Sequence, residues 1–172
     1  LAVGEDYTHM LGELGLSRRR PATRTVTCPS PFDFHRQVLF LTPSRFPAPD
    51  AAGFGGAIGE LLADLAGHSR RKIMALFTSY HLLGEAARRL ESGPDEGPDA
   101  TRVLVQQPRS ATGALLEEFR RRRRALLLGT NTFWEGVDFP GEDLEILVVT
   151  KLPFLVPNDP WVEARCERVA AA

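Results

Sequence analysis

The segment Gly129-Thr130-Asn131-Thr132-Phe133-Trp134-Glu135-Gly136-Val137-Asp138-Phe139-Pro140-Gly141 gathers several side chains suited to ligand chemistry between two apolar runs. Thr130 offers a hydroxyl that can reach a phosphate, and Glu135 and Asp138 offer acceptors suited to sugar hydroxyls, water or a cationic partner. Gly129 and Gly136 let the backbone approach a ligand, although a plain surface loop with solvated carboxylates uses the same residues. Phe133 and Trp134 are adjacent rings. Exposed, such rings stack on nucleobases at roughly 1 to 3 kcal/mol per base; buried, they anchor a loop to the core. Anchoring is the preferred reading for Trp134, and for Phe133 the sequence leaves both open. A second polar turn, Thr78-Ser79-Tyr80-His81, also follows an apolar run. Ser79 stands where a helix begins, so its hydroxyl can cap the helix while free N–H groups and the helix dipole attract a phosphate. Capping alone explains the residue equally well.

Other candidates carry less. The run Arg120 to Arg124 sits at a helix end, where helical spacing spreads the charges around a turn, so a solvated end is favoured over a phosphate track. Asp95-Glu96, the only Asp-Glu dipeptide, lies in a glycine- and proline-rich loop and makes no credible magnesium box. The histidines 9, 35, 68 and 81 are scattered, and no serine, histidine and acid arrangement supports nucleophilic catalysis. The formal net charge of −1 excludes an overall basic field, so any nucleic-acid contact must be local. Cys28 and Cys166 have no metal or redox spacing and read as reduced thiols. No apolar run reaches bilayer length and no signal-like start is present, so no membrane contact and a cytoplasmic location are expected.

The elements that must position these residues follow from periodicity. Tyr7, Met10, Leu11 and Leu14 recur at helical spacing, with Gly15 as a stop. Residues 17–31 read as a linker or edge strand, and a boundary falls near Cys28. Gln37 to Leu41 is a short apolar run. Phe54, Ile58, Leu61, Leu62 and Leu65 define a helix, Lys72 to Thr78 a buried strand, and Leu82 to Leu90 the next helix. Gly93 to Pro98 is a polar turn region. Thr101 to Gln106 is a strand, Leu115, Leu116 and Phe119 mark a helix, and Ala125 to Leu128 is another strand. Glu145 to Thr150 reads as a strand covered on both faces. Asn158 or Asp159 caps a final helix with Pro160 just inside. This alternation predicts an α/β, doubly wound, mostly parallel sheet with helices on both faces and right-handed crossovers. Ligands in such sheets gather at the carboxyl ends of strands.

In that order the segments resemble the second motor domain of DinG/XPD-like superfamily-two DNA helicases, with bacterial DinG-like members closest. Cys28-Pro-Ser-Pro-Phe-Asp-Phe-His-Arg-Gln37 looks like the entry into the domain, Ala75 to Tyr80 like motif IV and Gly129 to Gly141 like motif V. Lys151-Leu-Pro-Phe154 and Pro157-Asn-Asp-Pro160 look like the continuation. The resemblance implies a RecA-like helicase C-terminal domain over 28–172, truncated before motif VI. Residues 1–27 would be the tail of a first motor domain and a linker. It also implies a 5′ to 3′ motor with a role in DNA repair, in which ATP binds between two RecA-like domains and single-stranded DNA crosses their upper face. Ser79, Tyr80, Thr130, Phe133 and Trp134 would then contact DNA, and Glu135, Gly136 and Asp138 would face the nucleotide.

ATP and Mg²⁺ would be bound mainly by the missing first motor domain, which is the partner within the same protein, and any iron–sulfur cluster would belong to that missing part. No Gly-Lys-Ser/Thr loop occurs in the sequence, and the arginine-bearing motif VI is not reached. The fragment alone therefore holds no catalytic residue and no metal site, and is expected to hydrolyse no ATP. Two alternatives stand beside this reading: a non-catalytic nucleic-acid-binding module with a RecA-like fold, and an unrelated doubly wound nucleotide-binding domain.

Overall fold

The computed structural model of the chain describes residues 6–16, 23–90, 100–154 and 159–170. Its contacts divide it into two compact units, Leu1–Ser44 and Arg45–Ala172. In the first, helix α1 (Thr8–Glu13) buries Leu11, and Asp6 Oδ1 accepts from the Thr8 N–H at 2.8 Å. Tyr7 and Thr27 share a hydroxyl–hydroxyl hydrogen bond. Of the linker or edge strand expected over 17–31, residues 23–31 form no strand and residues 17–22 lie outside the described residues. The apolar stretch after α2 (Phe34–Gln37) stays exposed from Val38 to Leu41.

The second unit contains the sheet. Four short parallel strands, β1 (Ile73–Leu76), β2 (Arg102–Val105), β3 (Ala125–Gly129) and β4 (Ile146–Val149), lie in the order β2-β3-β1-β4. Register pairs Ile73 with both Leu126 and Ile146, and Arg102 with Ala125. Parallel neighbours need crossovers, and these are supplied by α4 (Tyr80–Leu90) between β1 and β2 and α5 (Thr112–Arg121) between β2 and β3. Helix α3 (Phe54–His68) precedes the sheet and α6 (Pro160–Ala170) follows it. Asp159 Oδ1 accepts the Trp161 N–H at 2.8 Å, so Asp159 is the cap of α6. Asn158, Pro157, the Asp95-Glu96 pair and the turn from Gly93 to Pro98 lie outside the described residues.

Alternation along the strands sorts the core into two layers. Ile73, Ala75, Phe77, Leu126 and Leu128 point to the side covered by α3 and α4, packing with Phe54, Ile58, Leu62, Leu83 and Ala86. Met74, Leu76, Leu104 and Leu127 point to the other side and meet Phe119 of α5 and Phe133. Helices α3 and α4 touch closely because Gly59 faces α4 without a side chain; a Cβ there would stand 2.8 Å from the Ala86 carbonyl oxygen.

The fourth strand departs from expectation. Leu147 is 53% exposed and Val149 44%, so β4 is covered on the α3/α4 side by Ile146 and Val148 packing and open on the other. The cause is placement. Helix α5 and the Gly129–Gly141 segment cover the α5-side core formed by β1, β2 and β3, and β4 at the sheet edge contributes no residue to that layer. A continuous apolar run reads alike whether one or both faces are covered.

Candidate nucleic-acid and nucleotide interface

The carboxyl ends of the strands bring the two polar turns together. After β1 the chain passes Phe77 and Thr78 into α4, where Ser79 Oγ accepts from the Leu82 N–H at 3.2 Å and the Ser79 carbonyl from the Leu83 N–H. Ser79 thus caps α4. The N–H groups of the first turn of a helix have no partner within the helix and point out of its end. Tyr80, the first residue of α4, is 40% exposed and lines a cavity of about 290 Å³ with Leu83, Val105 and Gln106.

After β3 the backbone turns through a short 3-10 helix, Asn131–Phe133. Gln106, just beyond β2 and 3% exposed, sets this turn. Its Oε1 accepts from the Thr130 N–H at 2.7 Å and from the Thr130 hydroxyl at 3.0 Å, and its Nε2 donates to Thr132 Oγ1 at 2.9 Å. Thr130 is 4% exposed and Phe133 3%, so both are inside. The Phe133 ring lies on Gly129, where a Cβ would stand 2.5 Å from it; only glycine admits that approach. Trp134 is half-buried, and its Nε1 donates to the Phe77 carbonyl at 3.2 Å, bridging the ends of β3 and β1.

The Thr130 hydroxyl is thus spent on Gln106, and the Phe133 ring, for which stacking and anchoring both stood open, packs into the α5-side core. Trp134 anchors the loop, as preferred from the sequence. Gln106 was missed, because one glutamine after Val103-Leu104-Val105 reads as an ordinary exposed strand end. Its only signal is position, since it occupies the carboxyl end of a strand beside both polar turns.

The second half of the segment leaves the strand ends. Glu135 and Gly136 are exposed, and Gly136 takes φ +77°, a left-handed angle that turns the chain. Val137 and Phe139 then pack onto the α5-side core, with Phe139 edge-on to Phe119 at 5.6 Å between centroids. Asp138 between them is exposed, and its carbonyl accepts from the Arg120 guanidinium at 2.9 Å. Asp138 thus lies against the last turn of α5, away from Thr130.

The arginine run is more than a solvated helix end. Arg120 also stacks on Phe139 at 5.6 Å, Arg122 pairs with Glu118 at 3.0 Å, and Arg124 donates to the Ala66 and Ser69 carbonyls that end α3. Nearby, the buried Lys72 Nζ donates to the Arg120 carbonyl at 2.8 Å and to Asp143 Oδ1 at 3.2 Å. These contacts hold the start of β1, the end of α5 and the approach to β4 together.

Among the described residues no group of three or more His, Cys, Asp and Glu side chains could hold a metal ion. Cys28 and Cys166 are exposed free thiols. No helix of the described residues is long and apolar enough to cross a membrane.

Comparison with known proteins agrees with this geometry. The chain is 29% identical over 167 residues to the ATP-dependent DNA helicase YoaA of Escherichia coli, covering 97% of this chain and 25% of that protein. It is 32% identical over 171 residues to a Bacillus subtilis protein named 3′-5′ exonuclease DinG, covering 97% and 18%. It is 31% identical over 176 residues to the ATP-dependent helicase DinG of Mycobacterium tuberculosis, covering 99% and 25%. The chain thus spans a quarter or less of these relatives. Residues 62–172, which include the sheet, the cap at Ser79 and the whole Gly129–Gly141 segment, match the helicase C-terminal domain family, and the chain belongs to that family.

Proposed function

We propose that the chain is part of a cytoplasmic ATP-dependent DNA helicase that moves 5′ to 3′ on single-stranded DNA, and that it supplies one half of each ligand interface. The observation that carries this is the joining of two turns at one sheet edge. Gln106 pins the 3-10 turn after β3 to the end of β2, and the Trp134–Phe77 bond ties that turn to the segment leading into the capped start of α4. Ser79 and Tyr80 touch the DNA backbone from the exposed end of α4, where unpaired N–H groups favour phosphate oxygens. Thr130, Phe133 and Trp134 act on DNA by holding the turn in shape. Glu135 and Gly136 face the nucleotide from the exposed part of the loop, and Asp138 completes the set from its place against the last turn of α5.

A loop fixed at one end to the DNA-facing turn and at the other to α5 can transmit a nucleotide-dependent shift to the strand end. The donors for magnesium and for the nucleotide phosphates do not fit this chain by itself, since the phosphate loop is absent from the sequence and no acidic cluster occurs among the described residues. Hydrolysis thus belongs to the assembly with a first motor domain, and the chain alone hydrolyses no ATP. The exonuclease name of the Bacillus relative describes a protein of which this chain covers 18%, and nuclease activity is not proposed for the chain.

The test is ATP turnover by the chain joined to a first motor domain, measured against single-stranded DNA concentration. Replacing Ser79 and Tyr80 with alanine should raise the DNA concentration for half-maximal stimulation about tenfold, the scale of one lost base or phosphate contact. Unchanged stimulation would remove both residues from the interface. Substrates with a 5′ or 3′ overhang decide the polarity.

A further inference from the structure

A dense cluster of positive charge stands at the opposite edge of the sheet. Six arginines, Arg70, Arg102 and Arg121 to Arg124, line one open cavity of about 350 Å³. They arrive from three places that the topology joins: the turn before β1, the start of β2 and the link from α5 into β3. Arg102 and Gln106 stand at opposite ends of β2, so this cavity is about 13 Å along the strands from the Ser79 and Thr130 turns.

Among the described residues the charges are only partly answered. Arg122 has Glu118, and Arg124 is held by the Ala66 and Ser69 carbonyls. The side chains of Arg70, Arg102, Arg121 and Arg123 are exposed, and their guanidinium groups make no ion pair or hydrogen bond with the described residues. In a chain of net charge −1, such convergence is a local field that an overall charge count hides.

We propose that this cavity is a second nucleic-acid surface, which holds consecutive phosphates of a strand's backbone and does not read its bases. Three observations select that ligand. Every charged lining group among the described residues is a guanidinium, whose planar fork of donors matches phosphate oxygens two at a time. The remaining lining residue among those described is Ala100, so no described aromatic ring is there to stack a base. The lining arginines come from three separate segments around one open concavity, an arrangement that can meet successive phosphates along a strand. Contacts of this type position a strand without sequence preference, and their strength depends steeply on salt.

The experiment measures binding of a fluorescent single-stranded oligonucleotide to the 172-residue chain by anisotropy, from 50 to 200 mM salt. The triple variant Arg70→Ala, Arg121→Ala, Arg123→Ala is compared with a variant losing equal charge elsewhere, Arg36→Ala, Arg45→Ala, Arg165→Ala. The lining triple should weaken binding at least tenfold at the lowest salt. It should also flatten the slope of log affinity against log salt by about 2, near 0.7 for each phosphate released, with the control triple nearly unchanged. Circular dichroism of both variants confirms that the fold persists.

An equal effect of the two triples would overturn the proposal in favour of diffuse charge, and no effect of either would overturn it outright. Two competitors separate the sources. Tripolyphosphate displacing the oligonucleotide at comparable concentration would identify a free polyphosphate site, and poly-glutamate doing so would identify an acidic protein partner. Either result overturns the strand-backbone assignment. The outcome is independent of Ser79 and Tyr80, whose substitution tests the other edge.

Discussion

Gln106 is the residue on which the candidate interface depends most. A buried amide has a fixed number of partners to find, and this one spends its oxygen on the Thr130 N–H and hydroxyl and its nitrogen on Thr132. Gln106→Leu keeps the size and leaves two buried donors of Thr130 unmet, which costs about 1–3 kcal/mol. Thermal unfolding should show Tm lower by roughly 3–10 °C. Adding Thr130→Val removes one of the orphaned donors, so the double variant should be more stable than the sum of its singles by at least about 0.5 kcal/mol. Strict additivity would show that the amide does not set the turn. Phe133→Ala should cost about 3–5 kcal/mol in denaturant unfolding, because the ring fills the α5-side core; a loss under about 1 kcal/mol would mean that the ring is solvent-exposed. The chemistry-bearing residue types of this loop were legible in the sequence. Which of them faced inward was not, since Thr130 hides only because Gln106, 24 residues earlier, reaches it.

Helices α3 and α4 show the same lesson at the level of elements. The apolar stripe of α3 from Phe54 to Leu65 is visible at helical spacing, whereas the tightness of its contact with α4 is not. Gly59 and Gly56 are both helical glycines, yet a Cβ on Gly59 would meet the Ala86 carbonyl and the Arg89 Cβ, and one on Gly56 would meet nothing within 4 Å. Intrinsic propensity favours alanine over glycine by up to about 1 kcal/mol at either position. At Gly59 the clash is with backbone, so the helices must separate, which costs about 1–3 kcal/mol and outweighs the propensity gain. Gly56→Ala should therefore raise the urea midpoint and Gly59→Ala should lower it. A common sign for the two would refute the close approach. The strands themselves were readable as apolar runs; three lie within their expected spans, and β3 runs one residue further, to Gly129. The uncovered face of β4 was not, because coverage depends on where α5 lies, and nothing in Glu145 to Thr150 records that.

On the scale of the whole molecule, a parallel sheet has two unlike edges, and this chain loads each differently. The carboxyl edge carries the polar turns matched by the helicase family, and the amino edge carries the arginines. The α/β class followed from the order of apolar runs, and the family from the order of short segments such as Ala75 to Tyr80 and Phe133 to Asp138. The strand order β2-β3-β1-β4 did not, because spatial neighbours are chosen by packing among helices that share one period. Nor did the separation of Leu1–Ser44 from the rest, where short apolar runs such as Val38 to Leu41 resemble core and are exposed. That separation makes a prediction. Every residue of the two core layers around the sheet comes from Phe46 onward, so a polypeptide of residues 45–172 has all the apolar contacts that stabilise the sheet. It should unfold cooperatively, keep the near-ultraviolet signal of Trp134, and melt within about 3 °C of the whole chain, a difference below about 1 kcal/mol. A broad, non-cooperative transition would show that residues 1–44 are required for the sheet to form.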